Sequence, residues 1–89
     1  MQLPAETWVL DILLVFAPGV CPAQMSTTDE LGNILTVALD WSRDAPRVHY
    51  VLLEPHDGGA WRLDPACVRM RAARDGEPPA ILIRSRLRP

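Results

Sequence analysis

From residue 34 onward, apolar residues recur at every second position, and each such run closes on a turn rich in Pro, Gly or Asp. Period two sends successive side chains to opposite faces of an extended backbone, so this half of the chain is restricted to short strands. In residues 34–41, Leu35, Val37, Leu39 and Trp41 alternate with Thr36, Ala38 and Asp40, as a half-buried strand requires. The polar loop SRDAPR leads into residues 48–53, an apolar run dense enough for a central strand. The two read as an antiparallel hairpin. A turn over residues 55–59 precedes a short third strand, in which Trp61 and Leu63 alternate with Arg62 and Asp64. Residues 67–73 and 80–88 read as the last two strands. They are joined by a turn at Asp75-Gly76 that Pro78 and Pro79 lengthen.

The first third is less constrained. Residues 5–17, AETWVLDILLVFA, satisfy two periods. As a strand, Trp8, Leu10, Ile12, Leu14 and Phe16 share one face and Asp11 takes the other. As a helix, Thr7 and Asp11 share a face, Glu6 complements the dipole at the start, and Pro18-Gly19 stops the run. The helix is the favoured reading. Residues 18–33 carry Pro18, Gly19, Pro22, Gly32 and Asn33 and read as a connection. Thr27 and Glu30 have capping-box spacing, which suits one helical turn before Gly32.

The expected fold is therefore α+β: one N-terminal helix packed on an antiparallel meander of four to five short strands, or on such a meander curled into a small partial barrel. With 89 residues, 48% of them hydrophobic, a single domain over residues 1–89 is expected. The apolar fraction is too high for disorder, and no apolar run reaches the roughly eighteen residues of a membrane span. The run over residues 8–17 is broken by Asp11, follows Glu6 and lacks a basic leader, so it does not read as a signal peptide. Cys21 and Cys67 form no CxxC pair, and both thiols are expected to be reduced in a cytoplasmic chain.

Charge is divided along the chain. Residues 1–44 hold six acids and Arg43; residues 45–89 hold eight Arg and five acids, for a total of -2. Such asymmetry marks either an interaction surface or internal neutralisation. The last two strands concentrate it. Val68, Met70 and Ala72 are even-numbered, whereas Ile81, Ile83 and Leu87 are odd-numbered. If the strands pair around Asp75-Gly76, Met70 lies opposite Ile81 and Val68 opposite Ile83, with both apolar sets on one face. The other face then collects Arg69, Arg71, Arg84, Arg86 and Arg88. Guanidinium groups fork onto carboxylates and phosphates and repel one another when unpaired. The same face lacks the aromatic side chains that stack on single-stranded bases, which favours an acidic protein over nucleic acid.

Other chemistries have weaker support. Glu54, His56 and Asp57 cluster at one turn without a second ligand group, so neither a metal nor another cofactor is expected. His49 lies mid-strand with no motif pairing it to a thiol, and Gly58-Gly59 makes a turn rather than a phosphate loop. The stretch VLLEPHDGGAWRLDPACVRMRAARDGE is similar in order to small peptide chaperones serving radical enzymes. The terminal AILIRSRLRP, however, reads as a strand where that family continues in helix, and no family follows.

These features lead to the expectation of a non-enzymatic binding module that docks an acidic protein surface, or phosphates, through the Arg face. The alternative is a small acidic antagonist that uses Asp29, Glu30, Asp40 and Asp44 against a basic nucleic-acid-binding protein. A homodimer joining the acidic and basic faces is also compatible, and no membrane partner is expected.

Overall fold

The computed structural model describes residues 8–43 and 45–87, with side chains placed over residues 11–84 apart from residue 44. Among these residues the chain forms seven strands: β1 (Trp8–Phe16), β2 (Gln24–Thr28), β3 (Ile34–Asp40), β4 (Arg47–Glu54), β5 (Trp61–Leu63), β6 (Val68–Ala72) and β7 (Ala80–Leu87). A single 3₁₀ turn at Pro65–Cys67 is the only helical element among the described residues. The strands make a four-stranded sheet ordered β2-β3-β4-β5 and a three-stranded sheet ordered β6-β1-β7. The chain divides accordingly into two compact units, Pro22–Pro65 and the pair of segments Gln2–Cys21 and Ala66–Pro89.

The architecture is thus all-β rather than α+β, and the expected N-terminal helix is the strand β1. Its central place explains the ambiguous period. Ile12 and Leu14 have no exposure, and Val15, on the opposite face, has 1%. A strand apolar on both faces shows an almost continuous hydrophobic run, which periodicity alone does not separate from a buried helix. The long-range ladders of β1 supply what its local pattern lacked. Residues 5–7 of the expected helix lie outside the described residues.

The continuous unit is an antiparallel meander. Pairing Leu35 with Leu53 and Val37 with Val51 places four buried residues on one face, and Leu39 continues it. Trp61 and Leu63 extend that face from β5, opposite Leu53 and Val51. β4 holds one extra residue, His49, between the Ala38–Tyr50 and Leu39–Val48 pairs; this bulge leaves His49 exposed. On the opposite face, the Arg62 guanidinium lies 4.1 Å from the Tyr50 ring centroid. Residues 24–28 pair with β3 as β2, where a connection was expected. Met25 and Thr27 are half-buried while Gln24, Ser26 and Thr28 are exposed, so the strand's alternation is carried mostly by polar residues.

The expected helical turn before Gly32 is a hairpin loop. Asp29 accepts hydrogen bonds at Oδ1 from the backbone of Leu31 and Asn33, and at Oδ2 from Asn33 Nδ2. Asn33 is 8% exposed, and its Oδ1 accepts the backbone N–H of His56 at 3.0 Å, joining this loop to the β4–β5 turn. Gly32 sits at φ +85°, a backbone conformation that favours glycine.

In the other unit, β1 pairs in parallel with β6 and antiparallel with β7. β6 and β7 therefore do not form the expected hairpin: β1 lies between them. Val68 and Ile83 are both level with Ile12, and Met70 and Ile81 are both level with Leu14. The levels match those expected for direct pairing, with one strand interposed. Each ladder keeps its partners on the same face, so inserting β1 preserves the division into an apolar and an Arg-bearing face.

Candidate functional site

The Arg-bearing face of the three-stranded sheet takes odd positions from β1 and β6 and even positions from β7. Arg69 and Leu82 are level with Leu13, Arg71 and Ala80 with Val15, and Arg84 with Asp11. Asp11, Leu13, Arg69, Leu82, Ile83 and Arg84 line an open depression of about 220 Å³. Leu82 is 53% exposed and adds an apolar side chain to this charged face.

The five expected arginines do not act alike. Arg71 is committed within the chain: its Nη1 donates to Glu77 Oε1 at 2.7 Å and its Nη2 to Glu77 Oε2 at 2.6 Å. The Arg74 backbone N–H adds a third bond to Glu77 Oε1, at 3.0 Å. These donors, Arg71 first, hold the Glu77 carboxyl down to about 2, and the bidentate pair raises the affinity of Arg71 for its proton. The pair fastens the loop after β6 and removes one cation from the surface.

Arg69 is less tightly held. Its Nε lies 3.8 Å from Asp11 Oδ1, with the two side chains 70% and 51% exposed. A pair so wet is easily exchanged for another partner. Arg84 is exposed at the far side of the depression. Arg86 follows in β7 at the level of Val9, with its side chain outside the described set, and Arg88 lies outside the described residues. The described site is therefore Arg69 and Arg84 around an apolar floor of Leu13 and Leu82, with Asp11 between them.

Asp11, Leu13 and Leu82 were not singled out as site residues from sequence. Leu82 carried a usable signal, since it shares the even parity of Arg84 and Arg86. Asp11 and Leu13 join the site only because β1 lies between the two Arg-bearing strands.

The acidic set is dispersed. Asp29 and Glu30 lie in the loop before β3, whereas Asp40 ends β3. Seven strand residues at about 3.3 Å each separate these ends by roughly 20 Å. Asp29 and Asp40 also serve their own turns. Hydrogen bonds from the Asn33 side chain, in the first case, and the Ser42 backbone, in the second, hold the two carboxyls below their usual range. Asp44 lies outside the described residues.

Among the described residues, no group of three or more His, Cys, Asp or Glu side chains is arranged to hold a metal ion. Cys21 and Cys67 are not joined in a disulfide. Trp41 anchors the chain before β2 by donating its indole N–H to the Pro22 carbonyl at 2.7 Å. Among the described residues, no helix is long and apolar enough to cross a membrane.

The site defines an all-β chain with a mixed cationic and apolar sheet face. Compared with known protein families, curated proteins and solved structures, the chain matches none.

Proposed function

We propose that the chain is a binding module rather than a catalyst, and that it docks an acidic protein surface on the Arg-bearing face of the β6-β1-β7 sheet. The observation that carries this reading is the depression in which Arg69 and Arg84 flank exposed Leu82 and half-buried Leu13. Guanidinium groups fork onto carboxylates, while the leucines reward burial of an apolar side chain between them. That combination suits a polypeptide bearing both groups. A phosphate backbone would gain little from the leucines and would meet Asp11 at the centre. The described part of this face also presents no aromatic side chain on which a base could stack.

The test compares wild type with Arg69→Gln/Arg84→Gln as bait in a lysate of the source cell, at low and moderate salt, with and without nuclease. Wild type is expected to retain a nuclease-resistant protein that salt releases. The double variant should capture it at least roughly tenfold less well while keeping its circular dichroism and melting temperature. Undiminished capture by the folded variant overturns the reading. Capture lost to nuclease transfers the face to a nucleic-acid ligand.

A further inference from the structure

The β7 strand is an edge of its sheet, and its length and exposed apolar residues set it apart from the other edges. At eight residues it is longer than the other edge strands, β6 and β2 with five each and β5 with three. It contains no Pro, and it is too long for the shortness that commonly protects an edge. Leu82 and Ile83, successive residues on opposite faces, are 53% and 43% exposed. Among the described residues no strand pairs with the outer side of β7. Along that side, alternate backbone N–H and C=O groups face away from β1 and can form a further ladder.

We propose that β7 receives an extended acidic segment of a partner protein as an added strand, with carboxylates beside Arg84 and apolar side chains beside Leu82 and Ile83. This rests on the docking reading above and specifies its mode. A strand's period of two matches the Leu82, Arg84 spacing on one face, while the intervening position lies next to Ile83 on the other. Charge argues against a second copy of β7. Antiparallel pairing about a two-fold axis keeps like faces together, and in registers centred on residues 83–85 it brings Arg84 of the two copies opposite or diagonal to each other. Like charges in those positions are destabilising.

The probe is a blocked octapeptide of alternating Glu and Val, which places every carboxylate on one face. Two companions carry N-methyl groups, one at each Val amide and the other at each Glu amide, and each blocks one edge of the peptide strand. A fourth peptide alternates Lys and Val. The Glu–Val peptide is expected to bind and to shift the backbone amide resonances of β7 more than those of β6. One N-methylated companion should bind at least roughly tenfold more weakly, and the Lys–Val peptide should not compete.

Absence of Glu–Val binding, or equal binding by both N-methylated companions and the parent, overturns strand addition. Equal binding by all three that Arg84→Gln abolishes leaves the docking face standing while overturning its mode. Glu–Val binding unchanged by Arg84→Gln overturns both. Self-association of the chain through β7 that the Glu–Val peptide fails to displace assigns the edge to a second copy and likewise overturns the proposal.

Discussion

Arg71 and Glu77 show how one contact removes a charge from a surface. In sequence Arg71 is one of several alternating arginines, whereas in the fold the loop after β6 returns a carboxylate to it at 2.6 Å. The Glu77 carboxyl is held at about 2, against 4.5 for an unperturbed glutamate. The proton is thus bound more tightly in the unfolded chain. The contribution to stability is fully present above about pH 4.5 and is lost as pH falls towards 2. In denaturant titrations, wild type should lose more stability than Glu77→Gln over that interval, and their difference should be constant from pH 5.5 to 7.5. Identical acid limbs would mean that the pair is as wet as that of Arg69 and Asp11. The pair was not legible in the sequence, because six positions of separation across a loop prescribe no side-chain geometry.

At the scale of the element, β1 organises the second sheet and β7 is its exposed margin. Leu14 has no exposure and lies level with Met70 on one side and Ile81 on the other. Replacing Leu14 with Ala should cost about 2–5 kcal/mol through lost burial and the cavity left behind. Leu82→Ser, on the edge, should stay within about 0.5 kcal/mol of wild type, as expected for an exposed position. Chemical denaturation of the two variants checks both. A large cost at Leu82 would make it a structural residue and weaken its place in the docking face. β3, β4 and β5 were readable because apolar and polar residues alternate between clear turns. β1 and β2 were not, for opposite reasons: β1 is apolar on both faces, whereas β2 has Met25 as its only apolar residue.

For the whole molecule, chain order and spatial order differ most at β1. Its parallel partner β6 begins more than fifty residues later, at the Ile12–Val68 pair, and the whole four-stranded sheet is encoded between them. Closing such a loop costs entropy before the ladder stabilises it, and folds dominated by distant pairings form slowly. Refolding after denaturant dilution, followed by tryptophan fluorescence, should be complete only on the millisecond-to-second scale. Full recovery within microseconds would contradict the observed topology. What the sequence determined by itself was the division of each later strand into two faces, including the face shared by Arg69, Arg71 and Arg84. That division follows from the local two-residue period of an extended backbone and survives any pairing that matches faces. Only the tertiary structure decided that β1 separates β6 from β7, that Glu77 occupies Arg71, and that Leu82 stands exposed beside Arg69 and Arg84. Backbone ladders bond alike whatever their side chains, so the choice of neighbour rests on the burial of all strands together and is not encoded in any one of them.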